Sequence, residues 1–246
     1  MTGLVYVLPV HDEEEVLARN VARLGSYLAS RHAGAEVFLV ENGSKDASWR
    51  IAQELEAEAA KGEIPVRAFF EEKAGIGYAY HRGLEEALAR FGPTKERWAI
   101  LTATDLPFAF SDLEAGLSQL GRNDTRILIG SKAHPNSEAN TGNLRRVMSF
   151  AYRGARRAIL GMRVGDSQGS VFLRLDLAAE LLPKIESRNF FYSTELCHFA
   201  ERAGETIIEL PVVLDESRRR PSTVKPWRDS TAMAKQLFEL RQRGRR

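Results

Sequence analysis

Polar residues follow three predicted strands at the point where each strand ends. These residues could bind a ligand or take part in a reaction. They lie at 9–15, 40–46 and 102–107. The carboxyl end of a buried parallel strand is where side chains first meet a cleft. Acids at a helix N-terminus, or a glycine turn with a capping serine, would explain any single run. Their recurrence on successive strand ends is what local structure does not explain, and it predicts a ligand site.

The scaffold that must position these residues is predicted from hydrophobic periodicity. Strands are predicted at 4–9, 36–40, 66–70, 98–101 and 126–130, with helices at 13–30, 46–60, 77–91 and 111–120 between them. The second half is less regular, with helices predicted at 143–160, 176–182 and 192–202 and strands at 170–173 and 206–214. This alternation indicates an α/β fold, with a mainly parallel central sheet and helices on both faces. We expect both halves to share one sheet.

Four short motifs occur in order in the first half of the chain. They are Pro9-Val10-His11-Asp12-Glu13, Val40-Glu41-Asn42-Gly43-Ser44-Lys45-Asp46, Lys73-Ala74-Gly75-Ile76-Gly77-Tyr78-Ala79 and Ala103-Thr104-Asp105-Leu106. The ordered set resembles the family-2 glycosyltransferases with the GT-A fold, and most of all their dolichyl- or polyprenyl-phosphate branch. The resemblance implies one catalytic domain at 1–216, with a nucleotide-binding, Rossmann-like donor half at 1–131 and an acceptor half at 132–216, followed by a basic tail at 217–246.

The resemblance assigns the donor site, for a nucleotide-diphosphate sugar, to the first half. Its residues would be Pro9, His11, Glu13, Val40, Glu41, Asn42, Lys73, Gly75, Ala103, Thr104 and Asp105. Asp105 matches the last residue of the family's Asp-x-Asp, whose carboxylate would bind Mg²⁺ or Mn²⁺ between the two phosphates. Ala103 stands in place of the first Asp, so we expect weaker metal binding.

The second half extends the resemblance toward the lipid-phosphate branch. Acceptor-binding residues would be Arg145, Ser149 and Gln168, while Lys132, Arg219 and Lys225 would stabilise the departing diphosphate. Positions four apart share one helix face, so Arg145 and Ser149 would reach a single phosphate. An exposed basic helix face is the alternative for these arginines.

Asp105, Asp166 and Glu195 are the candidate catalytic residues, for a displacement with inversion at the anomeric carbon. A lipid-phosphate acceptor is already anionic and requires no strong general base. A hydroxyl acceptor would require a carboxylate, for which Asp166 is the first candidate and Glu195 the second. Both have structural alternatives, as a turn or cap residue for Asp166 and as an arginine's partner for Glu195.

The positive charge is concentrated in the tail. Residues 217–246 contain ten bases and two acids, a net charge of +8, whereas the whole chain carries +2. We interpret this tail as a contact for an anionic membrane surface, because it mixes its bases with Trp227, Met233, Leu237, Phe238 and Leu240. A solvated tail, a partner helix and core packing are the alternatives, and no nucleic acid partner is expected.

The location in the cell is also predicted from composition. No run approaches the roughly 20 apolar residues of a membrane-spanning helix, and no signal peptide is expected. The single cysteine, Cys197, fits a reducing compartment. We therefore expect a cytoplasmic protein, peripheral on the inner face of the membrane.

Other functional classes were weighed against the same residues. A dinucleotide-binding fold requires G-x-G-x-x-G, and Tyr80 stands where the third glycine belongs. A nucleotidyltransferase would show Gly-x-Gly-x-Arg after the first strand, unlike residues 11–15. Two alternatives stay open: a glycosyltransferase acting on a soluble hydroxyl acceptor, and, because of Ala103, a degenerate nucleotide-sugar-binding module.

Overall fold

One seven-stranded sheet forms the centre of the part of the chain that is described. The computed structural model describes residues 2–32, 34–59, 62–120, 122, 124–139, 143–215 and 226–243. The strands are β1 (Gly3–Val10), β2 (Ala35–Asn42), β3 (Val66–Glu71), β4 (Arg97–Leu101), β5 (Ile127–Gly130), β6 (Val171–Arg174) and β7 (Ile208–Leu210). The helices are α1 (Leu17–Arg31), α2 (Ser48–Ala59), α3 (Ile76–Phe91), α4 (Ser111–Leu117), α5 (Asn143–Leu160), α6 (Leu175–Leu181), α7 (Tyr192–Arg202) and α8 (Pro226–Arg243).

The strand order is β3-β2-β1-β4-β6-β5-β7. β1 to β4 pair in parallel, and β7 pairs in parallel with β5. β6 runs antiparallel to both of its neighbours, β4 and β5. The predicted α/β fold with a mainly parallel sheet is therefore confirmed. The direction of β6 was not predicted, because a short apolar strand has the same pattern in either direction.

Helices cover both faces of the sheet, as expected. β2 is buried along its whole length, which is typical of a parallel strand packed on both sides. On one face, α3 packs against alternate residues of β1 and β2 such as Val7 and Phe38. On the other face, α1 packs against Leu4, Tyr6 and Leu8. The carboxyl ends of β1, β2 and β4 lie side by side at one edge between these layers.

Gly83 lets α3 approach the sheet closely. A Cβ atom at this position would lie 2.3 Å from Cγ1 of Val7, nearer than side chains can approach. The glycine thus allows α3 to pack directly on β1, and this places the turn that begins α3 near the carboxyl ends of the strands.

Several predicted boundaries differ from the observed ones, each for a local reason. α1 begins at Leu17 rather than at Glu13, because residues 14–16 form a turn. The backbone N–H groups of Glu13 and Glu14 donate to Ser48 Oγ, at the start of α2, and to Asp46 Oδ2 in the loop before it. The predicted strand at 206–214 is reduced to β7, since Pro211 cannot donate a ladder hydrogen bond.

The described part of the predicted tail forms α8, which packs on the protein. Leu237 and Leu240 are buried against Phe191 and against partly buried residues of α5 and α7. Core packing, one of the alternatives for this segment, thus accounts for two of its five apolar residues, while Phe238 is 53% exposed. None of the helices within the described ranges combines the length and apolarity that crossing a bilayer requires.

Candidate active site

The ends of β1 and β2 are joined by a network of loop hydrogen bonds. His11 Nδ1 lies 2.8 Å from the carbonyl oxygen of Asn42, so this ring nitrogen carries the proton. Asp12 donates its backbone N–H to Ser44 Oγ, and its carboxylate accepts from the N–H of Lys45. Asp12 has a φ of 52°, a left-handed conformation that turns the chain sharply at this point. The first two motifs therefore form one surface, with His11 and Asp12 both about half exposed.

The side chains at the end of β2 that were assigned to the donor are buried. Val40 is fully buried in the core on the α3 face. Glu41 is 1% exposed, and its carboxylate accepts from the N–H of Ser44, so it stabilises the turn after β2. Both side chains are enclosed by the protein, and Glu41 Oε2 has no hydrogen-bond partner within the described residues. Asn42, at the strand end, is also buried, and its Oδ1 has no hydrogen-bond partner within the described residues.

The segment after β4 brings Asp105 to the same edge. Thr104 donates its hydroxyl to the carbonyl of Pro9 at 2.6 Å, which ties this segment to β1. Asp105 is partly buried and lies near Tyr80 of α3, whose pKa is raised by burial and, to a smaller extent, by the Asp105 carboxylate. The segment that contains Asp105 thus lies near α3, the helix that begins within the third motif.

A preformed cage for a metal ion is absent from the described residues. No group of three or more carboxylate, imidazole or thiolate side chains there is arranged so that it could hold a metal ion. The Ala103 side chain offers no ligand atom, so Asp105 is the one residue of this motif whose side chain could supply a carboxylate oxygen to a metal ion. Mg²⁺ in proteins is often bound by one or two carboxylates, with substrate phosphates and water completing its coordination. The arrangement is compatible with a metal that arrives with a diphosphate, and it offers little affinity without one.

The glycines of the third motif permit a close approach within the protein. Gly75 has a φ of 145°, and a Cβ there would lie 2.6 Å from the carbonyl oxygen of Arg188. At Gly77 a Cβ would lie 2.5 Å from the Arg188 carbonyl carbon, and the Gly77 N–H donates to the Arg188 oxygen at 3.1 Å. The sequence analysis assigned Lys73 and Gly75 to the donor site. The structure adds a contact between the glycines and a backbone segment more than a hundred residues later, and the exposed Lys73 precedes them in the same turn.

Lys132, which follows β5, forms an ion pair with Asp166. Lys132 Nζ lies 3.1 Å from Asp166 Oδ2 and 5.6 Å from the ring centroid of Phe108, on the loop that follows Asp105. Burial raises the pKa of Asp166, but the Lys132 ammonium and the N–H groups of Gln168 and Lys132 outweigh it and hold that pKa below its ordinary value. Asp166 is therefore ionised and a weak base.

Glu209 holds this pair in place, and the sequence reasoning missed it. Its carboxylate accepts from the Ser131 hydroxyl and from the N–H groups of Gly165 and Asp166. One side chain on β7 thus fixes both the residue before Lys132 and the turn that carries Asp166. The available signal was an acid within the strand predicted at 206–214, two residues before Pro211.

Glu195 is placed where it cannot act as a base, and this corrects the second-choice assignment. The residue is fully buried. Its two carboxylate oxygens accept from the N–H groups of Glu186 and Ser187, and Oε1 lies 2.7 Å from Arg243 Nη1. The structural alternative, an arginine partner, is the one observed.

The remaining predicted acceptor residues are only partly described. Gln168 donates through Nε2 to the Phe190 carbonyl and to the Thr194 hydroxyl, which fixes its amide at the start of α7. Ser149 is exposed on α5, and Arg145 is four residues earlier on the same helix, with its side chain outside the described part of the chain. Arg219 and Lys225, which were assigned to the departing diphosphate, lie outside the described residues.

A large surface crevice elsewhere has no part in this arrangement. It has a volume of about 800 Å³ and lies beside the first residue of β5, opposite the polar strand ends. Several of its charges are paired with one another, since Arg126 contacts both Glu180 and Glu205. The candidate site is therefore the edge where β1, β2 and β4 end.

The sheet is covered by helices, contains one antiparallel strand and has polar residues at the carboxyl ends of its parallel strands. This is the GT-A class of fold. The chain belongs to glycosyl transferase family 2, whose family model matches residues 6–182. It is 28% identical over 238 residues to the glycosyltransferase AglD of Haloferax volcanii, covering 94% of this chain and 36% of that protein. The chain thus spans about a third of the length of this curated relative.

Two similar solved structures have the same fold. The first is glucosyl-3-phosphoglycerate synthase from Mycobacterium tuberculosis in complex with Mn²⁺, uridine diphosphate and phosphoglyceric acid, with 18% identity, 99% coverage of this chain, 78% of that chain and a TM-score of 0.65. The second is mannosyl-3-phosphoglycerate synthase from Rubrobacter xylanophilus, with 12% identity, 98% and 73% coverage and a TM-score of 0.65.

Proposed function

We propose that this chain transfers a sugar, with inversion, from a nucleoside-diphosphate sugar to an acceptor whose attacking atom is a phosphate oxygen, specifically a polyprenyl phosphate at the membrane surface. The donor would occupy the edge formed by residues 1–131 and the acceptor the part formed by 132–216. Family membership supports glycosyl transfer. The choice of acceptor rests on the carboxylates of the acceptor half.

The observation that carries this choice is that neither candidate base is suited to remove a proton. Asp166 is paired with Lys132 and its pKa is lowered, whereas Glu195 is fully buried and paired with Arg243. A hydroxyl acceptor loses a proton as it attacks, and a general base works best with a pKa near the working pH. A phosphate oxygen attacks as an anion and needs no base, so a phosphate acceptor matches these residues.

The reaction forms a bond from the acceptor phosphate oxygen to the anomeric carbon and breaks the bond from that carbon to the nucleoside diphosphate. Negative charge accumulates on the leaving diphosphate, and positive groups held nearby lower the barrier. Lys132 is 32% exposed while it contacts Asp166, so its side chain is still accessible to a ligand. Asp166 would orient Lys132, and Lys73 would approach the diphosphate from the glycine turn.

A divalent metal, Mg²⁺ or Mn²⁺, would be held by Asp105 together with diphosphate oxygens and water. When bound, it would neutralise the charge of the leaving group. The related Mycobacterium tuberculosis enzyme has been crystallised with Mn²⁺ and uridine diphosphate, which supports a divalent metal in this fold. With Ala103 in place of a second carboxylate, we expect metal binding to depend strongly on the donor.

The membrane contact in this proposal is supported by α5 more than by α8. Val147 and Phe150 on α5 are 66% and 72% exposed, and the neighbouring Arg146 is also exposed. α5 contains five arginines and no acid. Apolar side chains flanked by bases suit the surface of an anionic bilayer. α8 uses Leu237 and Leu240 for packing, and this leaves it a smaller apolar face than the tail interpretation assumed.

A second candidate is transfer to a small hydroxyl acceptor that also carries a phosphate. It is favoured by the solved Mycobacterium tuberculosis enzyme, which was crystallised with phosphoglyceric acid and, separately, with glycerol 3-phosphate. In that case Asp166 would have to act as the base despite its ion pair. The rate would then rise with pH as Asp166 loses its proton, at a pH below the ordinary range for an aspartate.

The experiment that tests the proposal is a donor-by-acceptor screen with mass detection of products, with and without Mn²⁺. UDP- and GDP-sugars would be combined with polyprenyl phosphate, 3-phosphoglycerate and glycerol. We expect metal-dependent product with polyprenyl phosphate, and a loss of at least about 100-fold in Asp105→Asn, which keeps the side-chain shape and removes the charge. Product with glycerol alone would refute the acceptor class. Nucleotide binding without turnover under any acceptor would favour the binding module.

A further inference from the structure

The last turn of α8 contacts a buried carboxylate of α7. Arg243 Nη1 lies 2.7 Å from Glu195 Oε1 and 2.9 Å from Glu186 Oε2. The N–H groups are not aligned for a hydrogen bond, so the contact is an ion pair. Glu195 also accepts from the backbone N–H groups of Glu186, at 3.2 Å, and Ser187, at 2.8 Å.

This arrangement fixes the backbone at 186–187. A fully buried carboxylate is unfavourable unless a cation and N–H donors replace its water shell. Arg243 supplies the charge, and the two backbone amides occupy one oxygen each. Because the carboxylate stands on α7, the 186–187 segment is held between a helix of the core and the end of α8.

The residue that follows this segment supports the glycine turn. The Arg188 carbonyl accepts the Gly77 N–H at 3.1 Å, and neither Gly75 nor Gly77 leaves space for a Cβ against the Arg188 backbone. The two segments are therefore in direct backbone contact. We therefore expect a displacement of residues 186–188 to displace the turn that starts α3 as well.

The opposite side of that turn carries the groups assigned to the donor. A Cβ at Gly43 would lie 3.1 Å from Ala74, so the turn also rests on the loop after β2. Lys73 Nζ and the Arg188 guanidinium lie 5.6 and 6.0 Å from the ring centroid of Tyr78. The turn at 73–77 thus lies between the loop after β2 and Arg188, and Lys73, its first residue, is exposed.

We propose that Glu195 and Arg243 are positioning residues, which fix the 186–188 backbone against the Gly75–Gly77 turn and thereby hold Lys73 at the diphosphate of the donor. The inference rests on the proposed function, because it requires that a nucleoside diphosphate binds at this turn. It gives α8 a role in donor binding that is independent of any membrane contact.

The test is to measure the binding of UDP and UMP, and in parallel of GDP and GMP, to the full chain by calorimetry. Arg243→Met removes the charge and keeps most of the side-chain length, Arg243→Lys retains the charge, and Arg241→Met is a control at an exposed position of the same helix. We expect Arg243→Met to weaken diphosphate binding about tenfold, with monophosphate binding changed less than about twofold. Arg243→Lys should recover most of the loss, and Arg241→Met should match the wild type.

The outcomes separate this inference from the proposed function. Equal diphosphate binding in Arg243→Met and wild type would overturn the inference alone, as would equal losses for mono- and diphosphates together with a lower unfolding temperature. If wild type binds neither UDP nor GDP, both fail. Should Arg243→Met not fold, the double variant Glu195→Gln/Arg243→Met leaves no unpaired buried charge, and the same ratio of diphosphate to monophosphate affinity decides.

Discussion

Replacement of Gly169 by alanine should damage both the sheet and the candidate site. Gly169 precedes β6, directly after Gln168. A Cβ here would lie 1.6 Å from the carbonyl oxygen of Gly130, the last residue of β5, whereas real Cβ contacts essentially never fall below 3.0 Å. The two backbones would have to separate by about 1.4 Å. The neighbouring hydrogen bond, from the Gly130 N–H to the Ser170 carbonyl at 2.8 Å, would not survive that separation.

The magnitude follows from these two losses. Overpacking costs about 1–3 kcal/mol, and more when the obstructing atom is backbone, as it is here. The broken ladder hydrogen bond adds roughly 1 kcal/mol. For a chain of this size each kcal/mol lowers the unfolding temperature by about 2–4 °C. We therefore expect Gly169→Ala to unfold roughly 5–15 °C below the wild type.

Urea denaturation and calorimetry would measure the change, and Gly25→Ala provides the control. Gly25 lies within α1, and a Cβ there meets no atom within 4 Å. That substitution should stabilise the chain by about 0.5–1 kcal/mol, because alanine favours a helix over glycine. If Gly169→Ala unfolds at the same urea concentration as the wild type with an unchanged slope, the steric argument is refuted.

Two further predictions concern acid and lipid. The pKa values of His81 and His198 are lowered from the ordinary 6.5 to about 4, mainly by burial. As the pH falls, the unfolded chain therefore takes up these protons before the folded chain does. The free energy of unfolding should fall between pH 6.5 and 4, by at most about 3 kcal/mol per histidine. His198→Phe should flatten that fall, and an unchanged pH profile in urea titrations would contradict the assignment. Val147→Ser/Phe150→Ser should reduce sedimentation with phosphatidylserine vesicles, whereas Phe238→Ser on α8 should not; the reverse result would restore the tail as the membrane contact.

The parts of the fold that depend on local pattern were predictable from the sequence. The first four strands and α5 and α7 follow directly from hydrophobic periodicity, and α7 was predicted with its observed bounds. The motif residues were also predicted to share one edge, and His11, Asn42, Thr104 and Pro9 are joined there by hydrogen bonds. Parallel strands end at a common edge, so a sequence that predicts the strands also predicts which loops become neighbours.

Other features depend on contacts that the sequence pattern does not encode. Val40 and Glu41 were assigned to the donor with their neighbours, although a strand buried on both faces hides every side chain up to its last residue. The glycine turn was interpreted without Arg188, and Glu195 without Arg243, because each partner lies far away in the chain. Glu209 likewise gains its role only when three segments meet.

The position of β6 has a consequence for folding during synthesis. β4 pairs with β1 on one side and with β6 on the other, yet β6 lies seventy residues further along the chain, at Val171–Arg174. Until that segment leaves the ribosome, the outer edge of β4 presents unpaired N–H and carbonyl groups, and such an edge recruits other chains. The proposed donor half, residues 1–131, is therefore not expected to fold as an independent unit, because a fragment that stops at residue 131 keeps the open edge permanently.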